Sequence, residues 1–192
     1  MKKLLVLAFI IFAKSAFAQK DTVGLNVPFV NNTVIYERVF NIPNVPKNLL
    51  YSNAGLWFAE THPYVQDTQL QLVDPVLSRV VGRVKSSTVV VTSKILWQSY
   101  YATITYHFTL QVDCKDNKYR IRIYNIQDVI GNDYIPADDL MLALINLKSY
   151  TIANTTTVLK TSDLKQHFQA LNIIVDSVLA DITRSIIADN SF

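Results

Sequence analysis

Arg79, Arg83, His107, Arg120 and Arg122 sit in stretches where every second residue is apolar, a spacing that turns the basic side chains to the face of a β-sheet opposite its core. Gathered on one face, they would hold an anion through paired N–H···O bonds: a carboxylate, an acidic polysaccharide or a lipid head group. The same pattern also describes a solvated sheet face whose charges keep edge strands from aggregating. Strand order decides between the two, and periodicity does not give it. Trp97, Tyr100 and Tyr101 form a second group, either an exposed aromatic patch for a protein or glycan partner or a cover for a sheet edge. A third group, Trp57, Phe58, Phe108, Ile121, Phe168 and Val175, would line an apolar cavity under a long helix or simply fill the core, as close-packed interiors usually do.

No catalytic constellation stands out. His62, His107 and His167 are far apart in sequence and lack a second ligand at metal-binding spacing, so no metal site is expected. There is no G-x-S-x-G turn, and Gly24, Gly55, Gly82 and Gly131 are too scattered to cradle a phosphate, so no cofactor is expected either. Glu60, Asp138 and Asp139 have a sufficient explanation as charges at helix ends. Cys114 follows Tyr106, Phe108, Leu110 and Val112 in one alternating series, which marks it as a buried structural thiol.

The elements that must position these residues follow from period and punctuation. Thr33 to Phe40 is β-branched and aromatic and reads as a strand, after an extended and partly mobile lead-in over residues 19–32. Pro46 opens a helix whose Leu50, Ala54, Trp57 and Phe58 share one face until His62-Pro63 ends it. Gln69 to Val73 and Arg79 to Lys85 are strands, the second extending toward Val91, with Val80, Gly82 and Val84 on one face and Arg79, Val81 and Arg83 on the other. Tyr101 to Cys114 and Lys118 to Ile126 form a hairpin about Lys115-Asp116-Asn117. Asn132 to Pro136 reads as a loop, Asp138 to Leu147 as a short helix, and Tyr150 to Lys160 as irregular or a short strand. Ser162 is the expected cap of a final helix, 162–188, with one apolar stripe from Leu164 to Ile186. One antiparallel sheet with helices on a single face satisfies this order, an α+β layout in one domain.

Tyr36-Glu37-Arg38-Val39-Phe40, the turn from Ile42-Pro43 to Pro46-Lys47, Leu50-Tyr51, Trp57-Phe58 and Tyr119-Arg120-Ile121-Arg122-Ile123 together resemble the secreted Bacteroidota domains of the domain of unknown function 4468 family. The resemblance runs over residues 33–126 and implies a fold like that of the TATA-binding protein (TBP-like): strand, helix, four antiparallel strands, helix. Residues 86–99 and an insertion at 128–160 depart from it, and the family brings no activity, catalytic residue or cofactor. The parent fold lays its curved sheet on the DNA minor groove. Fold does not imply function, and the charge of this chain speaks against nucleic acid.

That charge is deceptive, because Lys2, Lys3 and Lys14 lie in a secretory leader: the lysine pair, the apolar run from Leu4 to Phe12, and Ala16-Phe17-Ala18 before Gln19. Cleavage after Ala18 leaves 15 basic and 15 acidic residues, hence no global field toward nucleic acid or an anionic membrane. The residue exposed by the cut is Gln19, not a cysteine that could carry a lipid, so the expected product is a periplasmic or secreted chain, not a lipoprotein and without a transmembrane segment. The function expected from the sequence is a non-enzymatic envelope module recognising a protein or glycan. The alternative is a carrier or sensor of an apolar small molecule or lipid held between sheet and final helix.

Overall fold

The computed structural model describes residues 24–60, 62–95, 98–153 and 156–187, with backbone alone for 92–95, 98 and 100. The chain enters through a small hairpin, β1 (Phe29–Val30) and β2 (Thr33–Val34). Asn31 and Asn32 turn it with φ of 52° and 60°, the left-handed pair that a two-residue type I′ turn requires. Leu25 and Val27 are buried in the core, so residues 24–32 are tied down where the sequence suggests a partly mobile lead-in. The single strand expected over 33–40 is interrupted at Ile35 and resumes as β3 (Tyr36–Asn41).

Helix α1 (Lys47–Trp57) follows, with Pro46 at its N-cap in an extended conformation and no side-chain cap of its own. The missing partner comes from far along the chain: Asp116 Oδ1 accepts the Lys47 N–H at 2.9 Å. One of the orphan donors of the first turn is thereby satisfied by the turn of a distant hairpin. The rest of the sheet is β4 (Asp67–Asp74), β5 (Arg79–Ile95), β6 (Gln98–Lys115), β7 (Lys118–Ile130) and β8 (Asp133–Pro136). Its order is β3-β7-β6-β5-β4, with β8 pairing beside β3 on the same edge of β7, and every pairing is antiparallel. Residues 133–136, expected as a loop, are thus a strand: β7 runs on to Ile130, and Gly131, with φ 64°, lets the chain double back so that Ile130 faces Asp133.

Helix α2 (Ala137–Ile145), a short ladder of β9 (Tyr150–Thr151) on β10 (Val158–Leu159), and α3 (Thr161–Ile187) follow among the described residues. In α2, Asp138 sits in the first turn as expected, and its Oδ1 accepts the Val34 N–H at 2.7 Å. Ser162 does not cap α3. The helix begins one residue earlier, and Asp163 reaches back to the Lys160 N–H at 2.9 Å, the return half of a capping box.

Helices α1, α2 and α3 contribute to one core with the inward sheet face. From β5 it takes Val80 and Val84; from β6, Phe108, Leu110, Val112 and Cys114; from β7, Tyr119, Ile121 and Ile123; from α3, the expected stripe from Leu164 to Ile186. The fold is α+β with a large antiparallel sheet, and it leaves the opposite sheet face uncovered by any of these helices. Among the described residues, no helix is long and apolar enough to cross a membrane.

Candidate functional site on the open sheet face

Cross-strand register arranges the outward side chains in rows. Asp74, Arg79, Asp113 and Arg120 form one row across β4 to β7; Leu72, Val81, Gln111, Arg122 and Glu37 form the next. Then come Gln69, Arg83, Thr109 and Tyr124, and finally Asp67, Lys85, His107 and Gln127. The five basic residues singled out from periodicity therefore do share a face on three neighbouring strands. Two local irregularities make the last row possible. A bulge in β7 places Asn125, with φ 50°, between the partners of His107 and Thr109. The extra residue reverses the alternation, so Ile126 and Asp128 turn inward while Gln127 turns out beside His107. A second bulge, between Leu70 and Leu72, keeps β4 in step with β5.

The strip is not uniformly basic. Asp113 accepts from Arg79 and, at 2.7 Å, from Arg120, and Gln111 donates to it at 2.9 Å. Glu37 lies 3.0 Å from Arg122 and 3.8 Å from Arg120. Burial works to raise the Asp113 carboxyl, but the hydrogen bonds from Arg79, Arg120 and Gln111 outweigh it and hold the group below the usual carboxylate range. Three of the five expected cations are thus already paired, and this half of the face is a charge network closed on itself.

The other half is different. Arg83 and Lys85 have no side-chain hydrogen bond or ion pair among the described residues. They line an open groove of about 410 Å³ together with Asp67, Gln69, His107, Gln127 and Tyr134. Tyr134, from β8, sets its ring edge-on to the His107 imidazole at 5.2 Å and remains 55% exposed. His107 Nε2 is buried without a hydrogen-bond partner among the described residues. Burial, then the charges of Lys85 and Arg83, push His107 below the ordinary imidazole range, so the ring is neutral near neutral pH. Sequence reasoning found Arg83 and His107 but missed Lys85, although Lys85 continues the Arg79, Val81, Arg83 series by one step.

A second groove of about 430 Å³, between β3, α3 and the lead-in, is lined by groups already engaged with one another. There Arg38 pairs with Asp176 at 2.8 Å and Tyr36 donates to Asn172 at 2.7 Å. Trp97 lies outside the described residues, as does the side chain of Tyr100; Tyr101 is 66% exposed and shares the outward parity of His107. Trp57, Phe58, Phe108, Ile121, Phe168 and Val175 are each at most 5% exposed and belong to the packed core.

The remaining histidines are structural anchors of α3. His62 stacks on Trp57 at 4.5 Å, with Nδ1 2.7 Å from Asp181 Oδ2 and Nε2 2.6 Å from the Trp57 carbonyl oxygen. Trp57 Nε1 donates to the same Asp181 oxygen at 2.9 Å. His167 meets the fully buried Asp128 through Nδ1, and its backbone carbonyl accepts from Tyr106. Among the described residues, no group of three or more histidine, cysteine or acidic side chains is placed to hold a metal ion.

The strand, helix, four-stranded meander and closing helix, with one sheet face left open, define a TBP-like fold. Residues 36–128 match the family model described as "Domain of unknown function (DUF4468) with TBP-like fold". The match runs from β3 to near the end of β7 and includes every groove residue except Tyr134. Two crystal structures are similar to the chain. A DUF4468 family protein from Bacteroides ovatus shares 15% identity with a TM-score of 0.57, covering 89% of this chain and 95% of its own. A TBP-like protein from Parabacteroides distasonis shares 17% with a TM-score of 0.60, covering 85% and 99%. At such identities the likeness is one of fold. No curated protein matches the sequence.

Proposed function

We propose that the chain is an exported, non-enzymatic binding module of the cell envelope that recognises a protein or glycan through its open sheet face. The observation carrying this reading is the contrast within that face: Arg79, Arg120 and Arg122 are each paired with Asp113 or Glu37, whereas Arg83 and Lys85, in a groove, have no ion-pair partner among the described residues. Unpaired cations beside amides and an exposed aromatic ring suit recognition better than general acid–base chemistry. The leader at residues 1–18 supports export, with mature protein beginning at Gln19. The balanced charge of the remaining chain supports a partner other than nucleic acid. An apolar carrier finds less support, because the side chains that would line its cavity are close-packed.

The test is capture of envelope polysaccharide and protein fractions by the mature chain, by Arg83→Glu/Lys85→Glu, and by Ile173→Glu on the exposed side of α3. Loss of capture in the sheet-face variant alone is expected. Equal capture by all three, or ligand turnover abolished by one polar substitution, would overturn the reading.

A further inference from the structure

We propose that the groove at Arg83 and Lys85 binds a carboxylate-bearing sugar, the monoanionic unit of an acidic glycan; this rests on the reading of the open face as the recognition surface. Charge is the first argument. Two unpaired cations face one carboxylate, Asp67, and the neutral His107, leaving a single net positive charge in the groove. A carboxylate balances it, whereas a phosphate dianion would overshoot and meet Asp67.

Placement is the second argument. Lys85 stands directly between Asp67 and His107 across the strands, and Arg83 lies one outward step along β5. Directly opposed side chains are about 5 Å apart at Cβ and outward neighbours on a strand about 7 Å, so Arg83 and Lys85 can close on one carboxylate. The remainder of the ligand then extends over His107 and Gln127 toward Tyr134.

That path offers what a sugar needs and a fatty or aromatic acid does not. The Gln69 and Gln127 amides and the Asp67 carboxylate can exchange hydrogen bonds with hydroxyls. The Tyr134 ring supplies an amphipathic surface for the C–H face of a pyranose. The volume, about 410 Å³, falls in the range of small-ligand sites, while a protein partner would need a far larger contact area.

The probes are tri-galacturonate, a hyaluronan hexasaccharide and an alginate trimer, each beside its methyl ester, with inorganic phosphate as a competing anion. Binding is read by calorimetry and by the imidazole NMR signal of His107. At least one uronate should bind, and its methyl ester should bind about tenfold more weakly or worse. Arg83→Gln and Lys85→Gln should each lose a similar factor, while Arg38→Gln, outside the groove, should not. The His107 titration should move upward on binding, because the added negative charge favours the imidazolium. An ester bound as tightly as its acid, displacement by phosphate at matching concentration, or affinity that survives both groove substitutions would overturn the proposal. If no uronate binds but a neutral glycan or a protein is captured and lost in Arg83→Glu/Lys85→Glu, this inference fails and the wider reading stands. If no binding of any kind depends on those two residues, both fail.

Discussion

Gly82 and Phe58 are in contact through the space a side chain at residue 82 would occupy: a β-carbon there would lie 2.3 Å from Phe58 Cε1 and 3.0 Å from the Gln69 carbonyl oxygen. The glycine in the middle of β5 is therefore what admits the Phe58 ring beneath the sheet. Gly82→Ala should destabilise the fold by about 1–3 kcal/mol through overpacking, a fall of roughly 3–10 °C in Tm. In the Phe58→Ala background the same change should cost much less, and a double-mutant cycle by urea denaturation measures the difference.

Asp113 should show its role through pH. Its carboxyl is held below the ordinary range in the folded chain, so its contribution is present above the unfolded carboxylate range and fades as pH falls through the folded value. Asp113→Asn should lose about 1 kcal/mol near neutral pH, since its arginine partners are partly exposed. The gap from the parent chain should narrow below about pH 4. Chemical denaturation across pH 2–7 checks both the size and the direction.

His167 and Asp128 join the first turns of α3 to the end of β7, with Asp128 fully buried. Removing the histidine strands a carboxylate in the core, so His167→Ala should cost about 3 kcal/mol or more. Asp128→Asn, which keeps the shape without the charge, should cost less. The paired His167→Ala/Asp128→Asn variant should be more stable than the sum of the single losses, as equilibrium unfolding in urea would show.

Cys114 should be inert in the native protein. Burial, with Asp113 beside it, pushes the thiol up to about 12, and the thiolate is the reactive form. A thiol reagent at pH 8 should label it only after denaturant is added; rapid labelling of the folded chain would contradict its place in the core.

The β6–β7 hairpin and α3 were legible because long alternation and a long helical stripe each admit one arrangement. The strand at 133–136 was not: its pairing depends on β7 continuing past Ile126, which a bulge at Asn125 conceals by reversing the parity of the side chains that follow. The same bulge hid the Gln127 side of the groove and the inward turn of Asp128. Arg83 and His107 could be placed on one face by counting in twos. Their neighbours Asp67 and Gln69 required the register of a different strand, and Tyr134 required the unforeseen β8. The pairing of Arg120 and Arg122 with Glu37 was hidden for a related reason, since Glu37 reaches them from a strand some eighty residues earlier that pairs with β7.

β5 and β6 outrun their neighbours. The last described partner of β5 in β4 is opposite Lys85, and β7 first meets β6 at Thr105, yet the two strands stay paired as far as Ile95 and Gln98. Over those last residues, roughly 24 Å at strand rise, each backbone is held by one neighbour instead of two. A single strand therefore lives in two kinetic regimes. Amides of β6 near Leu110 should exchange with solvent only on global unfolding, and those near Ala102 by local opening of the two-stranded ribbon. Deuterium uptake resolved along β6 should rise steeply near Thr105, and uniform protection along its length would show that the arm is clamped after all.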